Sequence, residues 1–277
     1  DAQRSEVGLE GGRGSGPIFA APGLSRRLTS VWYRHLRVYS KNLLSNAVPP
    51  FLEPLIFLAG LGLGLGRYVD SMAGLPYVEY LAAGLMMTAS MFTAAFECTF
   101  GTYIRMEFDK AYDGMLGAPI SARDLLVGEI LWAGATKGFA FSASVLLVTA
   151  AFGVVSLGQY WIAPFIVSLT GLMSASLRFL VPSMVKNIHQ FAFFFSAFIS
   201  PMFFFSGVVF PLDNLPAAVR PVAELLPLTH TVRILRMITG SEEVNLRLMG
   251  WDALYIGLLI FVVGAWGIKR LTRKLID

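Results

Sequence analysis

A chain of 277 residues that is 55% hydrophobic and only 14% charged, with a mean hydropathy of +0.63, carries more apolar surface than one soluble core of its length would cover. That places it in a bilayer. The lone Cys98 excludes an intramolecular disulfide, no Cys or His cluster has metal-ligand spacing, and the net charge of +4 is accounted for by membrane orientation and headgroup contact without a nucleic-acid partner.

Residues 1–23 are polar and glycine-rich and read as a disordered leader without the apolar run of a signal peptide. Residues 24–44 change character. Leu28, Val31, Trp32, His35, Leu36 and Tyr39 recur at helical spacing with Arg26, Arg27, Arg34, Arg37 and Lys41 largely between them. This is the pattern of an amphipathic helix lying in the cytoplasmic membrane interface, either as an anchor or as a contact for a partner.

Spanning hydrocarbon takes about 20 mostly apolar residues. Six stretches qualify, near 47–66, 77–98, 125–152, 160–185, 191–210 and 251–268. The predicted fold is therefore an all-α membrane protein with six transmembrane helices. An even number puts both termini on one side. With the termini inside, Lys and Arg collect on the inner segments, as cytoplasmic loops require.

Pro49 and Pro50 suit the first turn of the first span, and Glu53 then falls where the helix dipole offsets its charge. Gly60 with Gly64, and Gly62 with Gly66, are GxxxG pairs that permit close helix approach in lipid. Between the second and third spans, residues 99–124 set Arg105, Glu107, Asp109, Lys110 and Asp113 around Phe108, Tyr112, Met115 and Leu116. Such a mixed-charge helix with an apolar stripe suits docking to another protein, or is simply a solvated connector.

Lys137 is the costliest residue. It falls roughly 18 Å into its span at about 1.5 Å per residue, where a charge costs about 3 kcal/mol or more. It is either half of a structural ion pair, with Glu79 and Glu97 as counter-ions by type, or a cation facing a substrate. Arg178 lies nearer the end of its span, within snorkelling reach of the interface.

The fifth span is rich in phenylalanine, Phe198 among them, and Pro201 is expected to kink it. Beyond Phe210, residues 211–240 are cut by Pro211, Pro216, Pro221 and Pro227 into pieces too short to cross, yet stay apolar. They read as a re-entrant helical hairpin in the outer leaflet before the last span.

No GxxxxGK[ST] loop, HExxH or GxSxG occurs, so the usual devices for ATP hydrolysis, metalloproteolysis and acyl transfer are missing. A permease powered by another subunit and a membrane enzyme on a lipid-linked substrate stay open. His230 with Asp213 and Glu224 is the one collection of proton-exchanging groups available to the enzyme. An ion-coupled carrier would show inverted repeats and intramembrane carboxylates.

Residues 200–216 (SPMFFFSGVVFPLDNLP) followed by 226–230 (LPLTH) resemble the signature of the membrane subunits of ABC-2 type exporters. Residues 124–129 (DLLVGE), with Trp132 and 135–138 (ATKG), are similar to the nodulation protein NodJ branch of that family, which exports lipo-chitooligosaccharides. The likeness covers about residues 24–274 and departs from the family at 174–183 (SASLRFLVPS).

The resemblance implies a self-dimer in the bacterial plasma membrane, docked on a homodimer of a separate ABC ATPase that holds the ATP and Mg, with no cofactor in this chain itself. Arg34, Arg37, Glu107, Asp109, Lys110, Asp113 and Lys186 would couple to the ATPase. Gly60, Gly64, Lys137, Phe198 and Pro201 would line the translocation path or dimer seam. Phe210, Pro211, Pro227, Thr229 and His230 would form the outer cap. The implied cargo is an amphipathic glycolipid or lipo-oligosaccharide, with drugs and polysaccharides as alternatives.

Overall fold

The computed structural model describes residues 22–276, so the expected leader lies, apart from its last two residues, outside the described residues. The described chain is almost entirely helical. The N-terminal helix α1 (Leu24–Lys41) is followed by α2 (Leu43–Leu65), α3 (Tyr77–Phe108), the short α4 (Ala111–Leu116), α5 (Ala122–Ala151) and α6 (Ala163–Met184). After these come α7 (Gln190–Phe205), α8 (Arg220–Leu225), α9 (Pro227–Ile238) and α10 (Leu246–Ile276). Among the described residues the one strand pair is a hairpin between α2 and α3, Ser71–Met72 against Leu75–Pro76. Its two-residue turn puts Ala73 and Gly74 at positive φ, as a tight hairpin turn demands.

Five of these helices, α2, α3, α5, α6 and α10, are long and apolar enough to cross a membrane. Where the sequence leads one to expect a fifth span, the structure has α7, which is apolar but shorter than these five. Pro201 follows a π-helical turn at Phe195–Ile199, a common way to absorb the backbone bond that proline cannot make. The expected hairpin at 211–240 contains α8 and the amphipathic α9, whose first residue, Pro227, needs no N–H partner there.

Pro49 and Pro50 do not open the first span. The chain breaks at Asn42, α2 starts at Leu43, and Pro49, Pro50 and Pro54 all sit inside it. Glu53 is therefore nearly three turns into the helix, beyond the first turn to which dipole stabilisation is confined.

Helix α3 is the centre of the molecule and the most buried of the long helices. It packs on α2, α5 and α6 through small residues. An added Cβ on Gly134 of α5 would lie 2.7 Å from the Gly171 backbone of α6, and one on Gly84 would lie 2.7 Å from the Val208 carbonyl. Close backbone approach of this kind replaces the hydrophobic drive that helices lack in lipid. Of the two GxxxG pairs, Gly62 and Gly66 pack on Val78 of α3, while Gly60 and Gly64 meet nothing within 4 Å.

Helix α1 does not stand apart from the bundle. Arg27 pairs with Asp124, Val31 seats over Gly128, Trp32 bonds Thr136 and Tyr39 stacks under Lys137. The partners advance together in both helices, so α1 runs alongside the first half of α5. Its buried residues are Val31 and His35.

Arg178 does not snorkel. It is completely buried, and none of its three guanidinium nitrogens has a partner among the described residues. The return of α10 covers it, since Gly264 and Gly267 pack against Ser176 and Phe179 on the same stretch of α6.

Candidate functional site

The largest concentration of charge inside the bundle lies where α1, α3 and α5 meet. Three π-helical stretches, Glu97–Gly101 and Ile104–Phe108 in α3 and Leu131–Thr136 in α5, widen the helices there. Glu97 is the hub. Its Oε1 accepts from Arg105 Nη1 at 2.7 Å and its Oε2 from Lys137 Nζ at 2.5 Å. Arg105 Nη2 donates to Glu129 Oε2 at 2.5 Å. The other oxygen of Glu129 lies 2.9 Å from His35 Nε2, within ion-pair reach but off the line of a hydrogen bond.

An aromatic collar surrounds the cation. Lys137 Nζ sits 4.6 Å from the Tyr39 ring centre and 5.9 Å from that of Trp132, which also stacks on His35 at 5.7 Å. Burial first, and then the charge of Glu97, push the Tyr39 phenol up to about 12, so it stays neutral. Lys137 forms the expected ion pair, with Glu97 as its partner. Glu79 plays no part in it.

Asp124 anchors the start of α5. It forms a capping box with Ser121 and takes Arg27 Nη1 at 2.5 Å. Nearby, Tyr103 of α3 donates to the Lys186 carbonyl at 3.1 Å, and Lys274 of α10 lies 3.3 Å from Glu107. Residues 99–124 and the loop at Lys186 thus share one end of the bundle. Arg37, Asp109, Lys110, Asp113 and Lys186 are exposed there, and Arg34 is half-buried.

A second polar cluster holds α8, α9 and α10 together. His230 Nδ1 lies 2.7 Å from Asp252 Oδ1 and its Nε2 lies 2.9 Å from the Glu224 carbonyl oxygen. Arg233 reaches Asp252 at 3.3 Å and Glu224 Oε2 at 2.6 Å, while Thr229 donates to the Ala223 carbonyl at 2.6 Å. Beside it Arg236 lies 3.7 Å over the Tyr80 ring of α3; burial lowers its pKa and raises that of neighbouring Glu242. Phe210 and Pro211 are half-buried on the way into this cluster, and Pro227 is buried.

The groups of this second cluster are engaged with one another and with backbone carbonyls. Both ring nitrogens of His230 face acceptors, the Glu224 carboxylate is engaged by Arg233, and Asp213 bonds neither. The hydroxyl of Tyr255, whose ring centre lies 4.1 Å from that of His230, donates to the Leu225 carbonyl at 2.8 Å. Asp252, which sequence reasoning missed, is a buried carboxylate in the first turns of α10. That alone was its signal, because such a group in a span needs a partner.

Residues 26–239 match the model of the ABC-2 type transporter family. The chain belongs to the ABC-2 type transporter family. It is 34% identical to nodulation protein J of Rhizobium leguminosarum bv. trifolii, over 92% of this chain and 98% of that protein. Against nodulation protein J of Bradyrhizobium diazoefficiens it is 32% identical, over 91% and 97%. A more distant relative is the inner membrane transport permease YadH of Escherichia coli, 19% identical over 90% of this chain and 96% of that protein.

An ABC-2 permease is a transport component of the bacterial inner membrane and pairs with an ABC ATPase subunit. That role fits a site whose charges are all directed at one another. The network joins α1 to α3 and α5.

Proposed function

We propose that this permease moves an amphipathic glycolipid or lipo-oligosaccharide out of the cytoplasm or inner leaflet, as a self-dimer driven by a separate ATPase. Its topology is six spans, with α7 as the short fifth, both termini cytoplasmic and 211–240 as an outer re-entrant cap. Helix α1, residues 99–124 and the Lys186 loop form the handle on which the ATPase acts. The observation that carries this reading is the buried chain His35–Glu129–Arg105–Glu97–Lys137, which fixes the N-terminal helix to two spans. The likeness to nodulation protein J supports the choice of cargo.

The test is charge reversal of Asp109 and Asp113 together, both exposed beside the network. Co-purification with the ATPase and substrate-stimulated ATP hydrolysis should both fall at least tenfold, with the permease still monodisperse. Unchanged complex yield and unchanged stimulation would overturn the handle. ATP turnover by the rigorously purified single chain would overturn the division of labour.

A further inference from the structure

A cavity of about 410 Å³ lies between α2, α3 and α7, and its two walls differ in kind. One is aromatic: Phe57, Phe92, Phe96 and Phe203, with the Phe203 ring 5.5 Å from Phe57 and 6.1 Å from Phe92. The other is the early part of α2, including Ser45, Asn46, Pro50 and Glu53. Lys137 and Glu97 reach the cavity too, but each is already engaged by the other at 2.5 Å.

The α2 wall is short of donors. Pro49, Pro50 and Pro54 have no N–H, so the carbonyls of Ser45, Asn46 and Pro50 lack the helical bond from four residues ahead. The Asn46 side-chain amide is spent on the Tyr39 carbonyl at 3.2 Å. Glu53 is exposed and pairs with no cation among the described residues. Unsatisfied acceptors and a carboxylate at membrane depth need donors from elsewhere.

We infer that this proline-opened face of α2 is the head-group subsite for the transported amphiphile, with Glu53 as its specificity-determining residue. The wall accepts hydrogen bonds, so it takes a head bearing hydroxyl or N–H donors and rejects phosphate or carboxylate heads. The phenylalanine wall takes the hydrocarbon tail. The volume is near the lower end of ligand pockets, roughly 300–1,000 Å³, so the subsite holds one sugar and the adjoining stretch of chain. This rests on the exporter reading and narrows it to neutral or cationic heads.

The permease–ATPase complex in nanodiscs would be tested without ATP, by photolabelling with diazirine-tailed dodecyl glucoside and dodecyl phosphate. The glucoside should label the phenylalanine wall, Phe92, Phe96 and Phe203 above all, at least tenfold more efficiently than the phosphate. Glu53→Gln should weaken glucoside labelling about tenfold, the scale of one charge-assisted hydrogen bond, and Glu53→Lys should reverse the preference. Among the described residues Glu53 has no partner to lose, so both variants should remain folded.

Equal labelling by the two amphiphiles overturns the proposal. So does a preference that survives Glu53→Lys, or cross-linking of Glu53 to a second copy of the chain in place of the probe. ATP-dependent transport is scored separately, so a failed exporter reading leaves its own mark: selective labelling without transport.

Discussion

Removing the hub carboxylate should reveal whether the buried charges act as one unit. Glu97→Gln removes the negative charge that Arg105 and Lys137 share and leaves one accepting oxygen where there were two. Arg105 keeps Glu129 at 2.5 Å, but Lys137 keeps only aromatic faces, the Tyr39 ring at 4.6 Å and the Trp132 ring at 5.9 Å, worth about 0.5–2 kcal/mol. Breaking a buried pair on one side costs about 3–5 kcal/mol. The side chains here retain 12–17% exposure, so a loss near the lower figure, ~3 kcal/mol, is expected. Lys137→Met removes the cation and its desolvation together and leaves Glu97 with Arg105, which should cost about 1 kcal/mol. In the double variant the stranded ammonium is gone, so Lys137→Met should restore about 1–2 kcal/mol to Glu97→Gln, a coupling within the range seen for contacting residues. Cys98 supplies the assay: it is the only thiol and is buried, so a thiol-reactive dye reports thermal unfolding in detergent, with tryptophan fluorescence as the control. Losses that simply add, with coupling under about 0.5 kcal/mol, would refute the network as a unit.

Gly128→Leu should detach the N-terminal helix, because even a Cβ there would lie 2.6 Å from Val31 Cγ1; ATPase stimulation should fall several-fold while the spans stay folded, and normal coupling would show that α1 is not seated through Gly128. Gly60→Leu with Gly64→Leu should leave single-chain stability within about 0.5 kcal/mol, as surface substitutions generally do, since neither position meets an atom within 4 Å. The same pair should lower self-association and export, read by cross-linking yield and transport in vesicles; wild-type values for both would remove these glycines from the dimer seam.

The long helices were legible because a hydrocarbon layer imposes one requirement, a sufficient apolar run, that one sequence displays directly. Lys137 announced itself by its cost, and Glu97 was identifiable by type. Glu129 was not, because the last residue of the run DLLVGE becomes a partner of Arg105 and His35 only when α1, α3 and α5 assemble. His35 read equally well as one more member of the apolar stripe. Local rules failed where tertiary packing overrode them. Proline favours the first turn, yet Pro49 and Pro50 lie inside α2, where they leave the carbonyls of Ser45 and Asn46 without their helical donors. Arg178 had a free route to the interface until α10 folded over α6, and no pattern within 174–183 records that cover.

Helix α3 ties these features into one mechanical argument. Its Glu97 and Arg105 hold the charged network at one end, and Tyr80 lies under Arg236 and donates to the Gly207 carbonyl at 3.0 Å at the other. Those ends are separated by about 26 Å of helix at roughly 1.5 Å per residue. Between them α3 is close-packed on α5 and α6, and a packed interior transmits displacement instead of absorbing it. The cavity residues Leu85, Thr88, Ala89, Phe92 and Thr93 all belong to this intervening stretch. On the proposed reading, work delivered through α1 reaches α3 at the network, passes the amphiphile lodged against its middle, and arrives at the cap that α9 forms. A rigid connector needs its strongest contacts at its two ends and a ligand surface between them, and α3 distributes its polar residues in that way.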